Sequence, residues 1–294
     1  MVCEMKDKRL TIVKDYVVCP KCGEIVWIND VVIRTKMLRS FSYYGGDAPI
    51  LDKILDLIPE HGIYVEVFGG SATVLLNKKP SKIEVYNDLS LDLYNLFICM
   101  RDRWKEFMRL AFYTRVSRYA HSKFKEIRNQ NIKIPDVKRA VEYFNYICTA
   151  FSRTPGAGFP SFRKSSSAHT TTPRIYKRYL LMIPLVAKRL ENVIIENLDF
   201  EECIKRYDSP ETLFYLDPPH ILIERYDLGM SIRDHERLAR VLRNVKGMWI
   251  LKYTPHPLVY RWYKGYNWHI VKYVKASVKG KKLKGFYVLI TNFD

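Results

Sequence analysis

Two consecutive stretches of one pattern constrain this chain most: "IYVEVFGGSATVLLNKKP" from Ile63 and "KIEVYNDLSLDLYNLF" from Lys82. Each opens with an apolar run of strand length, breaks at turn-forming residues and continues with helix-spaced apolar residues. Ile63 to Phe68 reads as a buried strand, Gly69 to Ser71 as the turn, and Ala72 to Asn77 as the start of a helix. The second strand ends at Asn87-Asp88. Strand, helix and strand at this spacing form a βαβ unit, so the strands pair in parallel beneath helices and the fold class is α/β.

The same rhythm returns near the C-terminus. "NVIIENLDF", "TLFYLDPP" and "GMWILKY" read as strands, "SIRDHERLARVLRNV" as a helix, and "NWHIVKYVKA" with "GFYVLITNF" as a final strand pair. Upstream, "MLRSFSYYGGDAPILDKILDLIP" reads as a turn and a helix, with Asp47 as a possible cap and Ile50, Ile54, Leu57 and Ile58 as its apolar stripe. Between the two halves, residues 100–189 break the alternation. They read as mostly helical, with one long irregular stretch, "SRTPGAGFPSFRKSSSAHTTTPR". The expected organisation is an N-terminal extension over 1–36, a core over 37–99 and 190–294, and an insert over 100–189.

Charge singles out the insert. From Arg101 to Leu190 there are 20 Lys and Arg against 5 Asp and Glu, so this segment carries most of the net +18 of the 294-residue chain. Aromatic side chains are interleaved with the basic ones, a composition suited to phosphates and exposed bases. Lys123, Lys125, Arg128, Arg153, Arg163, Lys164, Arg174, Lys177 and Arg178 are the candidate nucleic-acid contacts.

The N-terminal extension contains "VVCPKCGEIVWI", a β-hairpin pattern with Cys19 and Cys22 at the knuckle. These are the candidate zinc ligands. A zinc ribbon needs four, and no second CxxC exists to supply them even if Cys3 were a third. A knuckle without metal is therefore the preferred reading. Six cysteines with only two closely spaced do not make a disulfide framework, and no apolar run reaches membrane-spanning length, so a cytoplasmic protein is expected.

Chemistry concentrates in "TLFYLDPPHILIERYD". A central strand delivers Asp217 to the carboxyl edge of the sheet, where α/β ligands bind. Pro218 and Pro219 end the strand and stiffen its tip. A carboxylate beside an outward carbonyl offers two acceptors, matched to the two hydrogens of an exocyclic amino group. Acceptors at fixed geometry favour the pyramidal nitrogen that can attack an electrophile, with no strong base required. At the glycine turn, Gly70 lets a ligand approach bare backbone. Asp88 can accept from ribose hydroxyls, cap the following helix, or do both.

Taken in order, "SYYGGD", "VEVFGGSATVLLNKKP", "YNDLSLDLYNLF" and "YLDPPH" resemble the four motifs of the D12 class of adenine-specific DNA methyltransferases, over roughly residues 37–294. The resemblance implies a Rossmann-like methyltransferase sheet with an inserted target-recognition domain. It also implies S-adenosylmethionine as methyl donor and a flipped-out adenine in double-stranded DNA as acceptor, with a restriction endonuclease as a possible partner. It places Tyr43, Asp47, Phe68, Gly70, Asp88 and Asp217 at cofactor-contacting positions, and Asp217, Pro218 and His220 at the catalytic ones.

Three residues depart from the family's pattern: Asp47 stands where lysine is usual, Ala72 replaces a second glycine, and His220 replaces the tyrosine expected to stack on the flipped base. His220 is expected to take over that stacking and to charge in mild acid. Tyr226 is the substitute face, and Asp234-His235 reads as a helix cap followed by a surface histidine. Cytosine N4 or RNA adenine as acceptor, and a nucleic-acid-binding homologue without catalysis, stand as the alternatives.

Overall fold

The computed structural model describes residues 17–18, 25–26, 37–43, 45–114, 116–128, 130, 132–151, 156–159, 172–221, 229–276 and 282–294. Two short strands, β1 (Val17–Val18) and β2 (Ile25–Val26), pair antiparallel as the hairpin pattern requires. The rest is built on a seven-stranded sheet. Its strands are β3 (Ile63–Glu66), β4 (Ile83–Asn87), β5 (Val193–Glu196), β6 (Thr212–Leu216), β7 (Met248–Tyr253), β8 (Asn267–Ala276) and β9 (Lys282–Thr291), in the spatial order β5-β4-β3-β6-β7-β9-β8. The first five are parallel, while β9 runs antiparallel to both β7 and β8. From β3 the chain steps outward to β4 and β5, then returns across the sheet to β6. The order therefore reverses between β3 and β6, and a crevice opens at the carboxyl ends of those two strands.

Strand residues alternate between two cores because side chains point to opposite faces with period two. Leu213 and Tyr215 of β6 join the core that includes Tyr64, Tyr86 and Ile250, whereas Phe214 and Leu216 join the one that includes Val65, Val85 and Trp249. The second face is covered by α9 (Phe200–Tyr207), α10 (Ile232–Leu242) and α11 (Pro257–Trp262). Over the first lie α1 (Leu51–Asp56), α2 (Thr73–Asn77), α3 (Leu91–Asp102), α4 (Trp104–Tyr113), α5 (Arg118–Ile127), α6 (Val137–Thr149), α7 (Thr172–Leu180) and α8 (Ile183–Leu190). Helix α6 is buried at eleven of its thirteen positions, which makes it the middle of this layer. Arg139 fastens it to α3 through a two-pronged bond to Asp92, at 2.7 and 3.1 Å. The helices of the basic segment thus share one apolar core with the sheet.

Among the described residues no helix is long and apolar enough to cross a membrane.

Candidate active site

The crevice is a cleft whose lining includes Tyr43, Asp47, Phe68, Gly70, Asp88 and Asp217, so all six residues expected at cofactor positions meet in one place. Asp199, Phe200, Pro219, Asp234 and Arg237 complete much of the remaining wall. Five aspartates against one arginine make the lining acidic, although the chain as a whole is strongly basic.

The glycine turn is fixed by sterics at both glycines. A Cβ on Gly69 would lie 2.1 Å from the Tyr86 ring, which leaves no room for any side chain. Gly70 has φ +49°, a conformation open to glycine at no steric cost. Ala72, where a second glycine is usual, also sits left-handed at φ 54° and carries the cost of its Cβ there. Asp88 bridges the turn to the next helix: Oδ2 accepts from the Gly70 N–H at 2.8 Å and Oδ1 from the Ser90 N–H at 2.9 Å. The helix cap itself is Ser90, whose hydroxyl accepts from the Leu93 N–H. Burial pushes the Asp88 carboxyl up to about 6, against the pull of those two donors.

Asp217 follows a strand that is buried at all five positions. Pro218 is buried, and Pro219 lies at the cleft wall. Asp217 Oδ2 accepts from the Lys252 ammonium at 2.8 Å, and Oδ1 has no hydrogen-bond partner among the described residues. Lys252 also donates to Asp47 Oδ1 at 2.6 Å and to the Gly45 carbonyl at 2.7 Å. Asp47 is therefore not the cap of α1, which begins after Ile50 with no side-chain cap. Its side chain turns inward to the lysine instead. Burial raises Asp47 to about 6 even with the ammonium beside it, and raises Asp217 as well. Burial alone would lower Lys252, but Asp217 and Asp47 outweigh it and hold the ammonium charged.

The structure corrects the expectations for two histidines. His220 is only 4% exposed, and one ring face lies against Tyr287, with centroids 5.9 Å apart and planes at 23°. A ring packed this way lies behind the cleft lining rather than forming a free platform for a base. Its Nδ1 accepts from the Thr254 N–H at 3.0 Å, so in the neutral ring the proton sits on Nε2, 3.7 Å from Asp217 Oδ1. Burial, and then Lys252, push its pKa down to about 3, so it does not charge in mild acid. His235 is not a surface residue: it is fully buried, with Nδ1 2.7 Å from the Tyr253 hydroxyl. The cap of α10 is Ser231, whose hydroxyl accepts from the Asp234 N–H, and Asp234 serves as its capping-box partner by accepting from the Ser231 N–H. Tyr226 lies outside the described residues.

Sequence reading missed Lys252, Asp199, Phe200 and Arg237. Lys252 is visible as a lone charge inside the apolar run "MWILKY", which a buried strand tolerates only with a partner. Asp199 follows β5 much as Asp88 follows β4 and Asp217 follows β6, so the same signal was present a third time. Arg237 grips Asp199 at 2.8 and 2.9 Å, and its guanidinium lies 4.1 Å from the Phe200 ring centre. Burial would raise Asp199, but the Arg237 bonds hold it below its usual range.

The family model of the D12 class N6 adenine-specific DNA methyltransferases matches residues 43–277. The chain belongs to that family. No curated protein sequence matches it. Membership makes it an enzyme that methylates adenine N6 in DNA, and implies S-adenosylmethionine as the donor. The mixed α/β architecture and its seven-stranded sheet agree with such a methyltransferase.

Of the methyltransferase's candidate DNA contacts, Lys123 and Lys125 are exposed on α5, and Lys177 and Arg178 on α7. Arg128 is partly buried and donates to the Tyr146 hydroxyl at 2.8 Å, bracing the segment at Gly156. Arg174 lies on α7, where only its backbone is described; Arg153, Arg163 and Lys164 lie outside the described residues. Cys19 and Cys22 also lie outside them. Among the described residues no group of three or more His, Cys, Asp or Glu side chains is placed to hold a metal ion.

Proposed function

We propose that the cleft between β3 and β6 holds S-adenosylmethionine beside a flipped-out adenine, and that Asp217 orients the adenine amino group for methylation. The observation that carries this reading is the state of the Asp217 carboxylate. One oxygen is fixed by Lys252 while the other has no partner, at the tip of a rigid strand in the crevice where α/β ligands bind. An unpaired acceptor at a partly buried site is costly unless a ligand completes it.

The lining suits the donor. Its aspartates favour a sulfonium cation, and the half-buried Phe68 ring, packed beside Phe200 with centroids 5.8 Å apart, offers a flat face for a purine. Asp88 keeps lone pairs for ribose hydroxyls beyond the two N–H groups it already accepts. Tyr43 and Gly70 line the same cleft, and Gly70 brings the backbone close. When bound, S-adenosylmethionine supplies an electrophilic methyl group. The protein's part is acceptor geometry: the Asp217 carboxylate and the Pro218 carbonyl take the two amino hydrogens and leave the nitrogen lone pair free to attack. His220 supports that tip from behind, against Tyr287.

The duplex must release the adenine to reach Asp217, so substrate binding includes base flipping. Residues 100–189 are the target-recognition segment in this reading, with Lys123, Lys125, Lys177 and Arg178 as phosphate contacts, joined by Arg153, Arg163, Lys164 and Arg174 on charge grounds. The test is tritiated S-adenosylmethionine incubated with mixed-sequence duplex DNA and with RNA, followed by nucleoside analysis. Label on the N6 of deoxyadenosine is expected; label confined to cytosine or to RNA would contradict the reading.

A further inference from the structure

Lys252 is the penultimate residue of β7 and its side chain is wholly enclosed. An ammonium has three protons, and each has an acceptor here: the Gly45 carbonyl, Asp47 Oδ1 and Asp217 Oδ2, at 2.6 to 2.8 Å. The group also lies 4.6 Å from the centre of the Tyr287 ring. With every proton committed, it has none to offer a ligand.

We propose that Lys252 is the positioning residue of the reaction: its ammonium ties the Gly45–Asp47 turn of the cofactor side to Asp217, so that the Asp217 carboxylate is held charged and in one orientation at the cleft. This rests on the reading of Asp217 as the amine acceptor. Here one cation serves two carboxylates, and the imbalance faces the cleft.

The groups packed around the lysine give no substitute for it. Asp47 comes from the turn before α1, Asp217 and Tyr215 from β6 and its tip, and Tyr287 from β9, while the Glu66 carboxyl of β3, near Asp47, is pushed up to about 8 by burial. His220 is held neutral by burial and by Lys252 itself, and its Nδ1 accepts from the Thr254 N–H. Without Lys252 the two carboxylates would face each other in a buried space, and one would take up a proton. A protonated Asp217 is a weaker acceptor for the amine.

The experiment is single-turnover methylation of duplex DNA between pH 5 and 9, with cofactor and DNA saturating and cofactor affinity measured by calorimetry. For Lys252→Met the acid limb of the rate profile should move to higher pH by at least about one unit, as expected when a neighbouring opposite charge is lost. For Asp47→Asn the limb should move to lower pH, because the ammonium then serves Asp217 alone. Opposite shifts from two adjacent residues are not what general damage produces. The exchange variant Asp47→Lys/Lys252→Ala should run at least about tenfold faster than Lys252→Ala alone, since coupled sites are not additive. An unmoved limb in Lys252→Met, or a shift of the same sign in both variants, overturns the proposal. If circular dichroism shows that Lys252→Met is unfolded, Asp47→Asn decides, and an unmoved limb there overturns it. Wild-type turnover by Asp217→Ala would instead remove the reading beneath it; loss in that variant with unmoved limbs in the others removes this inference alone.

Discussion

The sheet carries a buried ionic cluster at each end, and the two are built in opposite ways. At the amino end, the one carboxylate of Glu84 is held by two cations. Lys78 donates at 2.7 Å, Arg189 donates to both oxygens, and Lys78 and Glu84 are almost fully buried. At the carboxyl end the ratio is inverted, with Lys252 between Asp47 and Asp217. The electrostatic results differ accordingly. Burial pulls Glu84 upward but its two cationic partners prevail and hold it below the usual carboxylate range, whereas Asp47 and Asp217 both stand above it. The first cluster is charge-rich in donors and joins α2, β4 and α8. The second keeps spare acceptor capacity and opens into the cleft. Perturbed carboxylates of the second kind are characteristic of functional sites.

If the amino-end cluster is structural, breaking it should cost stability first. Glu84→Ala leaves Lys78 and Arg189 without their carboxylate, and unfolding in urea should show a loss of about 3–5 kcal/mol, the range for removing one partner of a buried pair. A loss below about 1 kcal/mol would mean that the cluster behaves like an exposed pair, and the contrast would fail.

The carboxyl end should announce itself through pH. Burial, and then the field of Asp47, raise Glu66 to about 8, and its Oε2 accepts from the Leu75 N–H and the Tyr64 hydroxyl. A carboxyl raised on folding contributes stability that is complete below its unfolded pKa and is lost as pH rises through its folded one. The melting temperature should therefore fall between about pH 5 and 8, and Glu66→Gln should flatten that slope by up to about 1.4 kcal/mol per pH unit, the value of one proton. An equal slope in both proteins would show that Glu66 does not titrate there.

Much of this was legible in the sequence because it is local. Period-two runs, the glycine turn and the Pro-Pro stop are each written in neighbouring residues, and they place Gly70, Asp88 and Asp217 at strand ends whatever the rest of the chain does. What was not legible joins distant segments. Lys252 meets Asp47 across 205 positions and Gly45 across 207. The Tyr287 ring behind His220 comes from β9, so nothing near "DPPH" tells that the histidine is walled in. His235 looked exposed because its helix neighbours are charged, yet it lies on the inner stripe of α10 with Leu238, Ala239 and Leu242. Asp47 was assigned to a helix start on residue type alone, whereas the lysine from β7 determines where it points.

The central claim is that the Asp217 carboxylate acts on the adenine amine. Its most direct test is single-turnover methylation of duplex DNA by wild type and Asp217→Ala, with thermal unfolding of both proteins as the control for folding. Asp217 sits at a strand tip, outside both apolar cores, so the variant makes no core cavity. Losing an acceptor aimed at the reacting group should slow the chemical step by at least about 100-fold, roughly 3 kcal/mol, in a protein that still unfolds cooperatively. A folded Asp217→Ala variant that methylates at the wild-type rate would contradict the account.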